Sequence, residues 1–233
     1  YLTTGVANTF IGSVAGFGSS STALTGDANT CVGYRAGHVL QGAGNSNTIV
    51  GKDAGKNVTT GTENVVMGVN AGDALTSSSH STAIGTNALS TETDGTRSTV
   101  VGSAALFTQN RGSLGDKISY NTAMGYVAGY ALSTAQACTL FGYAAGDAIN
   151  TGQYNTCIGS EAGTNLTSGE QNVAIGGAAL FTENEGDRTV AIGQSALYNQ
   201  NVSDEISYNT AVGYYAGGAC STGLYNTFVG YLA

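Results

Sequence analysis

Residues 155–180 read "NTCIGSEAGTNLTSGEQNVAIGGAAL", and this stretch contains one phrase twice. "NTCIG" begins at Asn155, and "NVAIG" begins at Asn172, 17 residues later. The two phrases share no acid, no base and no metal-ligating residue. Internal repeats decide the fold of a chain that carries them, and a repeat without conserved chemistry indicates an architectural role.

The glycine that ends each phrase marks thirteen copies of the repeat along the 233 residues. Eight of the twelve steps between successive copies are 17 residues long, and the others are 18, 20, 21 and 23 residues. We count positions from this glycine, which is position 0. The chain is therefore interpreted as a single repeat array over residues 1–233. Its position-0 glycines are Gly12, Gly33, Gly51, Gly68, Gly85, Gly102, Gly125, Gly142, Gly159, Gly176, Gly193, Gly213 and Gly230.

Residue types recur in columns around position 0. Position −3 is Thr in ten copies and Val in three, position −2 is always apolar, and position +3 is always Ala. Position +4 is Gly in eight copies and Leu in four. Position −1 is always large and apolar, and we interpret this column as successive layers of a core: Ile11, Val32, Val50, Met67, Ile84, Val101, Met124, Phe141, Ile158, Ile175, Ile192, Val212 and Val229.

These columns predict an all-β fold, a parallel β-solenoid or β-roll of about thirteen coils of 17 residues. A unit of this length cannot bury a core alone and must stack on its neighbours. β-Branched and apolar residues before a glycine are typical of a short strand that ends in a turn. No window has the spacing of a long amphipathic helix.

Both faces of the predicted strands are apolar. Positions −1 and −3 point to one face and position −2 to the other, and a strand that is apolar on both faces is usually covered on both. One face can fill the coil, and the other then needs a partner. We therefore expect an intertwined or side-by-side homotrimer; a monomeric solenoid with a wide interior is the alternative.

Position −4 is Asn in nine copies. Stacked Asn side chains in a parallel coil can hydrogen-bond from layer to layer, so we predict a structural ladder, with a ligand-binding polar stripe as the alternative. The ladder residues are Asn8, Asn29, Asn47, Asn64, Asn121, Asn155, Asn172, Asn209 and Asn226.

The longest steps follow Gly12, Gly102 and Gly193, so the array has a second period of five coils. They predict longer loops near 17–28, 107–119 and 198–207. Binding residues concentrate on such loops, and the possible contact residues are Arg111, Asp116, Lys117, Asp204 and Glu205. The alternative is that the loops are tolerated insertions or struts against a neighbouring chain.

Composition and motifs exclude several classes of function. A net charge of −8 disfavours nucleic acid, and no apolar run is long enough to insert into a membrane. His38 and His80 lie at different repeat positions, no zinc-ligand spacing occurs, and "ENEGDR" (183–188) lacks the calcium-loop pattern. No catalytic pair recurs either. We therefore expect neither an enzyme nor a bound cofactor or metal.

The array resembles a known repeat type. "NTAMGYVAG" (121–129) and the stretch 133–163, which ends in "YNTCIGSEAG", are similar to the NTAIG-type repeats of tailed-phage tail fibres and related trimeric bacterial adhesins. They are more distantly similar to the head repeats of trimeric autotransporter adhesins. The resemblance covers essentially the whole chain. It departs from many such arrays at position +4, which is mostly Gly here.

The resemblance implies an extracellular or virion-bound homotrimeric fibre used in attachment, with a cell-surface glycan or protein as a possible receptor. We therefore expect the shaft segment of such a fibre. Since the array stops within a unit at "FVGYLA", we expect a fragment of a longer fibre chain. The alternatives are a glycan-binding or glycan-processing β-solenoid and an ice-binding solenoid. The Thr column at position −3 shares its strand face with position −1, so we expect it to lie partly inside, which argues against ice binding unless a flat Asn/Thr face exists elsewhere.

Overall fold

A computed structural model of the protein describes residues 4–18, 24–111, 114, 117–203 and 206–233. None of these residues is helical. The chain is an all-β parallel β-solenoid, and each coil contributes one strand of three residues. The strands are β1 (Thr9–Ile11), β2 (Thr30–Val32), β3 (Thr48–Val50), β4 (Val65–Met67), β5 (Thr82–Ile84), β6 (Thr99–Val101), β7 (Thr122–Met124), β8 (Thr139–Phe141), β9 (Thr156–Ile158), β10 (Val173–Ile175), β11 (Val190–Ile192), β12 (Thr210–Val212) and β13 (Thr227–Val229).

Every strand occupies positions −3 to −1, as the columns predict, and we number the coils after their strands. The chain divides into a first unit, Tyr1–Tyr120, and a second unit, Asn121–Ala233. Strands β1 to β6 of the first unit pair in chain order, all parallel. Strands β7 to β13 of the second unit do the same. Each residue pairs with the same position of the next coil, so the columns stack.

The interior of each coil is lined by position −2, and the expectation that position −1 fills it is wrong. In coils 2 to 12 the residue at position −2 is buried, and so is the Ala at position +3. The predicted core column instead lies on the outer strand face. Of that column, Val32, Val50, Ile84, Val101, Ile158, Ile175 and Ile192 are half-buried, whereas Ile11, Met67, Met124, Phe141, Val212 and Val229 are exposed.

The glycine at position 0 is required by the contact between layers. A Cβ atom on Gly142 would lie 2.4 Å from the carbonyl oxygen of Gly159 in the next coil. The φ angle of Gly142 is also +142°, which side chains rarely adopt. Gly230, in coil 13, has a similar φ of +127°, but its added Cβ would meet only the Ala233 side chain at 3.9 Å.

Two corners of every coil hold non-glycine residues in the left-handed region, at positions −5 and +2. In coil 9 these are Tyr154 (φ 59°) and Glu161 (φ 58°). This conformation costs about 1–2 kcal/mol for a residue with a side chain. It turns the backbone N–H of Tyr154 to the Gln136 carbonyl at 3.0 Å and that of Glu161 to the Tyr143 carbonyl at 2.8 Å. Bonds between layers therefore offset the local strain.

Candidate functional site: the outer face of the sheet

The outer face of the strands carries a continuous apolar surface on each unit. We call the columns at positions −3 and −1 the outer stripe. None of its residues is charged, in any of the thirteen coils. Phe141 is 51% exposed and Ile11 is 58% exposed, although both are large and apolar. Extended exposed apolar surface of this kind marks interaction sites in soluble proteins.

Tyrosines flank the outer stripe in the second unit, at positions −5 and +1. Tyr126 and Tyr143 of coils 7 and 8 stack with ring centroids 6.0 Å apart. In coils 12 and 13, one stacked pair lies on each side of the stripe, and the centroids of each pair are 5.4 Å apart. Each ring gives one face to its partner and leaves its edge and hydroxyl group toward solvent, since all six rings are exposed. These pairs are Tyr126–Tyr143, Tyr208–Tyr225 and Tyr214–Tyr231.

The threonine column at position −3 lies on the same outer face. Thr99, Thr122 and Thr139 are exposed, and Thr48, Thr82 and Thr156 are half-buried. The expectation that this column points partly inward, together with position −1, is therefore wrong. Threonine hydroxyl and methyl groups therefore recur along the sheet of each unit, interrupted by valine at this position in coils 4, 10 and 11.

The predicted Asn residues of position −4 lie inside the coils, where they link successive layers. The Asn47 backbone N–H and side-chain Nδ2 both donate to Asn29 Oδ1, each at 3.0 Å. Asn47 Nδ2 also donates to the Gly61 carbonyl at 2.8 Å, which closes the loop of its own coil. In the second unit the Asn172 backbone N–H donates to Asn155 Oδ1 at 2.9 Å. Between coils 2 and 12 these Asn side chains are buried, so their polar groups serve the coil rather than an external ligand.

Sequence reasoning missed two buried polar layers. Position +7 is apolar in seven of the eight coils with Gly at position +4, Ser19 being the exception, but it is Glu or Gln in the four coils with Leu at position +4. These four side chains are fully buried: Glu92, Gln109, Glu183 and Gln200. The exchange of residue types between positions +4 and +7 is the signal in the sequence that would have found them.

Each glutamate of these layers accepts hydrogen bonds from donors in its own coil and in the next coil. Glu183 Oε1 accepts from the backbone N–H groups of Gly186 at 2.9 Å and Val202 at 3.1 Å. Glu183 Oε2 accepts from Gln200 Nε2 at 2.8 Å. In the first unit Glu92 accepts in the same way, from Gly95 N–H at 2.7 Å, Gln109 Nε2 at 3.0 Å and Arg111 N–H at 3.2 Å.

The glutamates hold the longer loops at the point where those loops leave the coil. Arg111 and Val202, whose N–H groups they accept, each follow the buried Gln by two residues. The loops rejoin the stack through parallel bridges, which pair Ile118 with Thr96 and Ile206 with Asp187. Both ends of each loop are thus bound to the coil beneath.

The structure places the predicted contact residues of these loops differently. Arg111 is 6% exposed and is therefore buried rather than presented to a partner. Lys117 forms an ion pair with Asp94 at 3.1 Å. The other three predicted contact residues, Asp116, Asp204 and Glu205, lie outside the described residues, as do residues 19–23 of the loop near 17–28.

The remaining reactive side chains do not assemble into a chemical site within the described part of the chain. Burial raises the pKa of Cys31 to about 12 and that of Cys138 to about 11, and it also raises the pKa of Cys157. These thiols stay protonated at neutral pH and are poor nucleophiles. His80 pairs with Glu63 at 3.2 Å, whereas His38 stacks on Phe17.

A search for metal-ligating groups among the described residues finds no cluster of three His, Cys, Asp or Glu side chains. Over the same residues, the chain contains no helix of the length and apolarity that crossing a membrane requires.

Comparison with known proteins gives no match: no family model, curated protein or solved structure is significantly similar to the chain. The outer stripe and its tyrosine flanks are therefore the best candidate for a functional surface.

Proposed function

We propose that the chain is a structural shaft segment of a homotrimeric fibre, extracellular or on a virion, that serves in attachment. The single observation that carries the proposal is the uncharged outer stripe, which the coils themselves leave exposed. The resemblance of the repeat to tail-fibre and adhesin arrays supports the same function. The proposal assigns no catalytic step and no cofactor to the chain.

Energetics favour coverage of the outer stripe. Full burial of one large apolar side chain contributes about 1.5–3 kcal/mol. Since Phe141 is already about half-buried in its coil, covering the rest contributes roughly half of that, and the stripe supplies one large apolar residue per coil. Association costs on the order of 4–15 kcal/mol in lost freedom of motion. A few covered coils in each copy are therefore enough to balance that cost, and the remaining coils provide a net gain.

A second copy of the chain is the partner that fits the stripe best. Successive apolar rungs follow the strand spacing of a parallel sheet, about 4.8 Å, and only a surface with the same rise can match them rung by rung. Rotation about an axis parallel to the stack keeps the copies parallel and in step. Cyclic association of three chains satisfies this condition and agrees with the homotrimers that the resemblance implies.

Sedimentation equilibrium or light scattering of the purified chain tests the proposal. We expect the mass of three chains, and Phe141→Lys combined with Met67→Lys should yield monomers, because each places charge on the covered face. Thr151→Lys, at an exposed position outside the stripe, is the matched control and should remain trimeric. A monomeric unmodified chain would overturn the proposal.

One observation favours a second candidate function, ice binding. The outward threonine column offers hydroxyl and methyl groups in ten of the thirteen coils. The two functions compete for one face, because a trimer would cover these threonines. A monomer that inhibits ice recrystallisation, and loses this activity in Thr139→Lys, would replace the fibre proposal. A trimer without such activity would exclude ice binding by this face.

A further inference from the structure

The outer stripe alone does not determine how far one copy is shifted along another. Its columns at positions −3 and −1 repeat in every coil. Position −3 is Thr in ten coils, and position −1 is Ile or Val in ten, so a copy that slips by one coil meets nearly the same sequence in most coils. Strand arrays with uniform patterns specify their register weakly for this reason. Some other feature has to mark individual coils if copies are to associate in a single way.

The flanks of the stripe in the second unit provide such marks. We call coils 7 and 8 with Tyr126 and Tyr143, and coils 12 and 13 with Tyr208, Tyr214, Tyr225 and Tyr231, the tyrosine blocks. Coils 9 to 11 between them carry Ser160, Gly177 and Gln194 at position +1. Coil 9 keeps one exposed tyrosine at position −5, Tyr154, but the neighbouring residues of that column are Ala137 and Gln171, so no tyrosine pair is formed there.

The floor between the flanks changes in the same way. In the first tyrosine block, Met124 and Phe141 are 39% and 51% exposed, whereas the corresponding Ile residues of coils 9 to 11 are half-buried. Coils with a broad aromatic surface thus alternate with narrow aliphatic coils, and the two blocks begin five coils apart. The tyrosine pairs, together with Met124 and Phe141, therefore distinguish coils that the recurring Thr, Ile and Val of the outer stripe leave alike.

We infer that the tyrosine blocks fix the register in which copies of this chain associate; the inference rests on the proposed trimer. In register, block faces block, and an aromatic contact contributes about 0.5–1.5 kcal/mol beyond its buried area. A slip of two coils sets Tyr126 and Tyr143 against the levels of Ser160 and Gly177, so rings face small residues and leave voids. A slip of five coils restores the match but uncovers five coils of outer stripe.

Moving one block along the chain tests the inference. The shifted variant combines Tyr126→Ser and Tyr143→Ser with Ser160→Tyr and Gly177→Tyr. Both new tyrosines have room, since Ser160 is exposed and the nearest atom to a Cβ on Gly177 is 3.9 Å away. Tagged unmodified chains and untagged variant chains are unfolded together, refolded and captured by the tag. Native mass spectrometry then counts the chains of each kind in the captured trimers.

We expect mixed trimers to be about tenfold rarer than random assortment predicts, which corresponds to roughly one lost aromatic contact. The matched control carries only Tyr126→Ser and Tyr143→Ser and should enter mixed trimers more often, because it removes marks without adding conflicting ones. If the four-residue variant does not refold, the pair Tyr126→Ser and Ser160→Tyr replaces it in the same assay.

Random mixing of the shifted variant with the unmodified chain would overturn the register inference while leaving the trimer intact. Unmodified chains that stay monomeric would overturn the proposed function, and the inference with it. The mass of the unmodified chain alone therefore separates the two failures.

Discussion

Coils 9 and 10 are neighbours, and each has a strand at positions −3 to −1, an Asn at position −4 and a glycine at position 0. Their interiors are nevertheless filled from opposite positions. Coil 9 has Gly163 at position +4 and Leu166 at position +7. Coil 10 has Leu180 at position +4 and Glu183 at position +7. All three of the larger side chains are fully buried.

The comparison shows that the interior of each of these coils has room for one leucine, which can come from position +4 or from position +7. A Cβ atom on Gly163 would already lie 3.0 Å from the Leu166 side chain. When the leucine comes from position +4, position +7 is left free for a polar residue. Coils 5, 6, 10 and 11 have this arrangement. In them, Glu92 binds the start of the loop near 107–119, and Glu183 binds the start of the loop near 198–207.

Glu183→Leu should have the largest effect on this comparison. The new leucine would compete with Leu180 for one space, and the N–H groups of Gly186 and Val202 would lose their acceptor. Each unsatisfied buried donor costs about 1–3 kcal/mol, and overpacking adds about 1–3 kcal/mol. We expect a loss of about 4 kcal/mol in the free energy of unfolding, measured by urea denaturation.

Glu183→Gln is the matched control, because it retains one side-chain oxygen and the volume of the residue. We expect it to lose about 1 kcal/mol, the usual contribution of one hydrogen bond. Hydrogen exchange at the amides of Gly186 and Val202 should accelerate strongly in the leucine variant and little in this control. Equal stability of the two variants would show that the carboxylate does not hold the loop.

Gly163→Leu performs the reverse change, adding a leucine to a coil that is already filled. The φ of Gly163 is +57° and its added Cβ would lie 2.7 Å from the Cys157 sulfur. Leucines at position +4 of other coils tolerate this backbone angle, so the main cost is overpacking, about 3 kcal/mol. Thermal or urea denaturation measures it.

The double variant Gly163→Leu with Leu166→Gln gives coil 9 the pattern of coil 10. It should recover part of the loss, since Leu166 no longer competes for the space, while the contact with Cys157 remains. If the double variant is less stable than Gly163→Leu alone, the two positions do not share one space and the comparison fails.

The smallest predicted effect concerns Asp94, which pairs with Lys117 at the end of the loop near 107–119. Hydrogen bonds from the hydroxyl groups of Ser77 and Thr76, and then from Lys117, hold the pKa of Asp94 below its usual range. In the later loop, Glu185 stands in place of Asp94 and Glu205 in place of Lys117. Of these two loops, the one near 107–119 is therefore expected to have an acid-sensitive interaction of this kind, and the one near 198–207 is not.

Because its pKa is lowered in the folded state, the Asp94 carboxylate stabilises the folded protein at higher pH. Its contribution is fully present above the unfolded carboxyl pKa of about 3.9, and it is lost as the pH falls below that value. For a pair near the surface we expect less than about 1 kcal/mol. Amide exchange of Ser77 as a function of pH measures it. Asp94→Asn should remove the pH dependence, and an unchanged profile would contradict the assignment.

The strands and their stacking could be predicted from the sequence because they depend on local rules. A β-branched residue, two apolar residues and a glycine define a short strand and its turn, and thirteen copies in one register leave stacking as the way to bury them. The glycine column was visible for the same reason, since a layer contact such as that of Gly142 on Gly159 excludes every side chain.

The face that turns inward could not be predicted, because both strand faces are apolar. Position −2 varies from Ala174 to Leu140, whereas position −1 is uniformly large, and the more regular column looked like the core. The structure assigns the variable column to the interior, where Ala at position +3 is also buried and most coils add a leucine from position +4 or +7.

The sequence by itself determined the period, the strand positions, the stacked Asn residues and the five-coil spacing of the longer loops, because each is a regular property of neighbouring residues. Only the tertiary structure decided which strand face is outside and which donors Glu92 and Glu183 bind. Those features depend on how a corner, a strand and the next coil share one closed space. That sharing joins residues up to 19 apart, such as Glu183 and Val202, which no local pattern relates.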